Sequence, residues 1–137
     1  MNKLPGKIIG IESEGSIAMI EVAVGDLHLS ASLLGTAEEF SSWKLNQDVN
    51  LIFNEMEVAI AKNLQGQISL RNRFPGKIVG LEIGKVLTRV VFVIAGSYLI
   101  NSVITSRSAH KLALSLGDDI EGLVKSNEMN LLRTNAL

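Results

Sequence analysis

One segment of this chain occurs twice. Pro5-Gly6-Lys7-Ile8-Ile9-Gly10-Ile11-Glu12 returns as Pro75-Gly76-Lys77-Ile78-Val79-Gly80-Leu81-Glu82, with six of eight positions identical and the other two exchanged between aliphatic residues. Repetition at a fixed period means that one supersecondary plan is used twice. A period of 70 residues in a chain of 137 leaves room for two copies and little else. After each copy come Gly15 or Gly84, a β-rich run (17–24 or 86–94), a turn at Gly25-Asp26 or Ala95-Gly96-Ser97, and a further strand.

Within these runs the apolar spacing is two, the period of a half-buried strand. Ile20, Val22 and Val24 alternate with Glu21 and Ala23, and Leu27, Leu29 and Ala31 alternate with His28, Ser30 and Ser32, so the second set is expected on a wet face. Segments 36–45 and 106–114 read instead as short helices, the second with Ser106 or Ser108 as its cap and Leu112 and Leu114 inward. Two more strands follow each helix, at 49–53 and 58–61 and at 120–125 and 129–132. Each half is thus expected to be strand, strand, strand, helix, strand, strand, an order that suggests an OB-like barrel. The predicted fold is all-β: two tandem OB-like five-stranded barrels, each with one short helix, at 1–63 and 68–137. Asn63-Leu64-Gln65-Gly66-Gln67 is polar and glycine-containing, and residues 64–67 read as the linker. Barrels this small are marginal alone and should pack together and oligomerise.

Composition narrows the function. With 13 basic and 14 acidic residues the formal charge is −1, so no long-range field draws in nucleic acid or anionic lipid. Six aromatic residues are too few for the stacking platform of an OB-fold nucleic-acid binder. There is no cysteine, which removes disulfides and thiolate chemistry and fits a reducing compartment. His28 and His110 belong to no cluster with metal-ligand spacing and read as surface residues. No apolar stretch suits a signal peptide or a membrane span, and the expected location is the cytoplasm. The Pro-Gly-Lys segments lack the spacing of a nucleotide phosphate loop, and no nucleophile, acid and base constellation marks an enzyme.

The second half opens with Ile68-Ser69-Leu70-Arg71-Asn72-Arg73-Phe74-Pro75-Gly76-Lys77, which resembles the Ser-x-Arg-Asn opening of the molybdenum-binding Mop (TOBE) domains. Ile104-Thr105-Ser106-Arg107-Ser108, the leucine-rich 111–117 turn and Gly122-Leu123-Val124-Lys125-Ser126 agree with it. The resemblance covers 68–132 well and 4–62 more weakly. The tandem plan is similar to the molbindins and to the molybdate-binding portions of molybdate-responsive regulators and transporter ATPases.

That resemblance implies non-covalent binding of molybdate, or alternatively tungstate, for storage, buffering or homeostasis, with no metal ligated directly by protein. It implies an oxyanion site of Ser69, Arg71, Asn72, Thr105, Ser108, Lys125 and Ser126 lying between subunits. Ser69, Arg71, Lys125 and Ser126 would come from one chain and Thr105 and Ser108 from its neighbour, in a dimer about a two-fold axis or alternatively a trimer. The chemistry of these residues is suitable. A tetrahedral dianion already carries its oxide ligands, so protein must supply donors and balancing charge: a planar fork from Arg71, a point charge from Lys125, hydroxyls from the serines and threonine.

The first half departs from the pattern. At the 70-residue offset Arg71 maps to Met1, Thr105 to Gly35 and Ser108 to Glu38, and Lys125 maps with one residue of drift to Asn54. The first half is therefore expected to act mainly as scaffold. Plainer roles exist for the named residues: Lys125 as a strand-edge charge, Thr105 and Ser108 as helix caps. Two other functions share these features, a molybdate-sensing module acting on a transporter or transcription partner, and a nucleic-acid-binding OB module.

Overall fold

The computed structural model describes residues 1–134. The first half runs β1 (Asn2–Glu14), β2 (Ile17–Val24), β3 (Leu27–Leu34), α1 (Ala37–Ser41), β4 (Asp48–Phe53), a 3-10 turn (Glu55–Glu57) and β5 (Ala59–Ala61). The second repeats it as β6 (Asn72–Ile83), β7 (Leu87–Ile94), β8 (Tyr98–Thr105), α2 (Ser106–Lys111), β9 (Asp119–Val124), a 3-10 turn (Ser126–Glu128) and β10 (Asn130–Arg133). The offset is 70 residues up to the β2–β3 and β7–β8 turns and 71 for the strands and 3-10 turns beyond them, because the second turn is one residue longer.

The strands form two curled, five-stranded antiparallel sheets, as an all-β tandem fold requires, but they do not close within each half. The orders are β10-β4-β1-β2-β3 and β5-β9-β6-β7-β8, so each sheet takes its fifth strand from the other half. This corrects the expectation that each half supplies all five of its own strands: the division at 64–67 does not separate the two sheets. Physically, each 3-10 turn swings the chain across the molecule and the next residue plugs in. Val58 and Met129 occupy equivalent places and are both 1% exposed. The Val58 carbonyl also accepts a hydrogen bond from Ser102 Oγ at 2.6 Å. Leu4, Ile8 and Phe53 share one apolar cluster with Phe74, Phe92 and Ile100, and the Phe53 and Phe74 rings lie 5.6 Å apart. Two barrels too small to stand alone thereby share one core.

The exchange is fixed at both ends by matching cations. Lys62 follows β5 and donates to the carbonyls of Leu112 and Ala113 at the end of α2, and to Asp118. At the equivalent place Arg133 ends β10, donates to Ser42 at the end of α1, and lies 4.1 Å from the Trp43 ring centroid. Cations at helix C-termini satisfy carbonyls that have no partner within the helix.

The repeated Pro-Gly-Lys segment has a structural cause. A Cβ on Gly6 would sit 2.6 Å from the Ala23 carbonyl oxygen, and one on Gly76 2.6 Å from that of Val93. Only glycine lets neighbouring strands approach so closely. Two residues later the register slips between Ile8 and Gly10 and between Ile78 and Gly80, the bulge that curls each sheet. Lys7 and Lys77 then reach Asp48 and Asp119 across the ladder, at 2.8 and 2.9 Å.

Candidate functional site

The β6–β9 ladder ends at the pair Asn72–Val124. Arg71 and Lys125, the next residue on each strand, therefore leave the ladder together and place two cations at one end of the second sheet. Both are exposed. Lys125 starts the 3-10 turn without a side-chain capping bond. Its equivalent Asn54 does cap its own turn, through Oδ1 and the Met56 N–H at 2.8 Å. The Lys125 ammonium is thus not consumed by the turn it begins. Ser126, one residue on, lies 2.9 Å from Ser32 of β3, hydroxyl to hydroxyl. Ser69 is exposed in the bend leading to Arg71.

The other members fall elsewhere. Asn72 is 0% exposed and turned away from Arg71: Oδ1 accepts from the Ser30 N–H at 2.7 Å and Nδ2 donates to the Ser30 carbonyl at 2.9 Å. Its amide is engaged as a clamp on the other half. Asn2 does the same to Asn101 at the equivalent position, with two bonds of 2.8 Å. This clamp explains why Ser30, expected on a wet face, is 0% exposed. Thr105 caps α2, its Oγ1 accepting from the Ser108 N–H at 3.1 Å and donating to Ser108 Oγ at 2.9 Å. Thr105 and Ser108 line a shallow depression with Met56, Glu57, Val58 and Ala59, which shares no residue with the surroundings of Arg71. One chain therefore brings Ser69, Arg71, Lys125 and Ser126 to one end of the sheet and puts Thr105 and Ser108 against the crossing turn of the first half.

The first half packs against this end of the second sheet. The Arg71 guanidinium pairs with Glu21 of β2, and Ser32 holds Ser126 while donating to Met19 Sδ at 3.8 Å. Glu21, Ser32 and Met19 were not identifiable from sequence, because the 70-residue offset relates positions within the repeat and is silent about which strands of opposite halves meet. The open depression of about 320 Å³ beside Arg71 is lined by Glu12, Ser13, Glu14, Ile17 and Met19. Two carboxylates on its wall make it a poor seat for an anion. Lys125 and Ser126 follow Val124, the ladder partner of Asn72, on the neighbouring strand.

Neighbouring ion pairs stiffen this end of the sheet. Arg73 forks onto Glu121 across β6 and β9, with bonds of 2.8 and 2.7 Å, and the guanidinium holds the Glu121 carboxyl below the usual carboxylate range. Among the described residues no group of three or more acidic or histidine side chains could hold a metal ion, and no helix is long and apolar enough to cross a membrane.

The TOBE domain family matches residues 68–131. Molybdenum-pterin-binding protein 2 of Clostridium pasteurianum is 40% identical over 65 residues, 47% of this chain and 96% of that protein. The molybdenum transport protein ModE of Herbaspirillum seropedicae is 28% identical over 137 residues, 89% of this chain and 51% of that protein. In fold, the chain is similar to the cytoplasmic molybdate-binding protein ModG solved with molybdate bound, with a TM-score of 0.91 at 20% identity, covering 97% of this chain and 96% of that one.

Proposed function

We propose, from the premise that this chain belongs to the TOBE-domain family along with the clostridial molybdenum-pterin-binding proteins, that it is a binding protein for a tetrahedral oxyanion, molybdate or its near twin tungstate. The observation that carries this reading is the joint exit of Arg71 and Lys125 from the β6–β9 ladder beside Ser126. Two cations balance two negative charges. The guanidinium fork and the serine hydroxyls donate to oxide oxygens, and no open coordination position on a metal is needed. Smaller sulfate has the same charge and should make fewer of these contacts at once.

The finer reading is storage and buffering in the cytoplasm, at sites completed between subunits of a homo-oligomer, a two-fold dimer or a trimer. It is supported by the separation of Thr105 and Ser108 from Arg71 and Lys125 within one chain. If those hydroxyls serve the anion, they serve one held by a neighbour, and an interfacial site of this kind repeats by symmetry. No catalytic role is assigned to any residue of the cluster.

The test is calorimetric titration of anion-stripped protein with molybdate, tungstate, sulfate and phosphate, with Arg71→Ala in parallel. Saturable binding that prefers molybdate and tungstate and is lost in the variant is expected. Absence of heat and of thermal stabilisation at millimolar molybdate overturns the reading.

A further inference from the structure

The overall charge of −1 conceals an asymmetry: residues 1–63 carry four basic and nine acidic side chains, and residues 64–137 nine basic and five acidic. Part of it gathers at the β1–β2 turn and the equivalent β6–β7 turn. At the first, Ile17 is laddered to Leu34, and the Gly35 N–H donates to the Ser16 carbonyl, tying α1 to the turn. Glu12 and Glu14 share a depression with Ile17, and Glu38 stands in the first turn of α1. At the second, Ile83, Val86 and Leu87 are exposed, and the Ser106 N–H and hydroxyl donate to the carbonyls of Val86 and Gly84, tying α2 to the turn. Lys85 sits in that turn, and Arg107 and Lys111, four residues apart, share one side of α2. One carboxylate, Glu82, lies at this end, 3.9 Å from Arg89. Among the described residues none of Glu12, Glu14, Glu38, Lys85, Arg107 and Lys111 is in an ion pair, whereas Lys7, Lys62, Arg73 and Lys77 all are. Leu34 at 81% and Val86 at 71% are, with Met1, the most exposed large apolar side chains among the described residues.

We propose that the acidic end of one copy of this chain docks on the basic end of the next. Each end has an apolar centre and a charged rim, the anatomy of a protein interface. The rims are opposite in sign, so each end attracts the other and repels its own kind. Nucleic acid would answer the cations alone, and an anionic bilayer would leave Leu34 uncovered. The partner that offers both carboxylates and exposed aliphatic side chains is the same chain. Because the docked patches differ, the contact is heterologous, and copies close into a ring or a reciprocal pair that uses every end. The inference deepens the homo-oligomeric part of the function proposed above and rests on that reading for one consequence. Arg71 borders the Ile17 depression and Thr105 is laddered to Leu87, so docking carries the two parts of the residue set toward each other.

The experiment disables one end at a time in the full chain, with Leu34→Asp at the acidic end and Val86→Asp at the basic one. Sedimentation velocity gives the oligomeric state of the wild-type protein, each variant and their equimolar mixture. A closed wild-type oligomer, two monomeric variants and a dimeric mixture, held by its one intact pair of ends, are expected. Charge gives a second and milder pair. Glu38→Lys and Arg107→Glu should each weaken association about tenfold or more, and the two combined in one chain should restore most of it.

Variants as oligomeric as wild type, or a mixture that stays monomeric, overturn the proposal. Should an aspartate variant lose the wild-type circular dichroism, the charge pair decides, and absence of rescue in the combined variant is equally fatal. Molybdate titration of the same samples separates the two readings. Anion binding by a wild-type monomer refutes the docking alone, and a wild-type oligomer that assembles as described yet binds no anion refutes the oxyanion reading alone.

Discussion

Arg71 and Glu21 are ion-paired across the two halves of the molecule, at the guanidinium that the proposed oxyanion reading gives to the ligand. Glu21 is then a competitor, and Glu21→Gln should tighten molybdate binding. An exposed pair contributes about 0.2–1 kcal/mol, so the expected gain is up to roughly fivefold. Arg71→Ala should weaken binding by about 1.5–3 kcal/mol, one to two orders of magnitude. Calorimetry of the three proteins checks both, and weaker binding by the Glu21 variant would show that Glu21 orients Arg71 instead of competing for it.

Asn72 clamps the two halves together through Ser30. Removing its amide leaves the buried Ser30 N–H and carbonyl without their partners, which costs about 2–4 kcal/mol when both go. Asn72→Ala is expected to lower the unfolding free energy measured by denaturant titration by that amount, and Asn2→Ala to act similarly through Asn101. A variant of unchanged stability and impaired anion binding would return Asn72 to the site.

Acid should loosen the fold through specific carboxylates. Arg73 holds Glu121 low, Arg89 holds Glu55 low, and the Lys62 hydrogen bond holds Asp118 low. A depressed folded-state pKa stabilises the protein at pH values above the unfolded carboxylate pKa of about 4, and that contribution is lost as pH falls through the folded value. Melting temperature should therefore be flat near neutrality and fall below about pH 4.5. In Glu121→Gln the fall should be shallower and the neutral plateau lower; an unchanged acid limb would remove Glu121 from this account.

The two sheets solve one packing problem with different residues. Leu4, Val22 and Leu51 of the first occupy the positions of Phe74, Phe92 and Gly122 of the second. Two phenylalanines fill the volume that a leucine side chain fills in the first sheet: a Cβ on Gly122 would lie 2.5 Å from Phe92 Cζ and 3.1 Å from Phe74 Cδ2. Gly122→Ala is expected to cost about 1–3 kcal/mol by overpacking, read by denaturant unfolding. Phe92→Leu in that background should recover part of the loss, which a purely conformational effect of replacing glycine would not allow.

Much of this protein was legible in its sequence. The duplicated Pro-Gly-Lys segment, the period-two strands and the turn residues determined an all-β tandem fold with element bounds close to those observed, because they are local preferences that act within a few residues. Arg71, Lys125 and Ser126 were singled out through the resemblance of 68–132 to the Mop (TOBE) domains, and the strand pattern adds that Arg71 and Lys125 flank one ladder.

Only the tertiary structure decided the rest. Short β5 and β10 carry no signal for which sheet they join, since ladder hydrogen bonds are made by backbone and are blind to sequence; the plugging of Val58 and Met129 into a shared core sends each across. That crossing brings Asn72 onto Ser30, Ser126 onto Ser32 and Arg71 onto Glu21. These contacts join residues 42 to 94 positions apart, and burial of common apolar surface, which has no direction and no sequence range, is what fixes them.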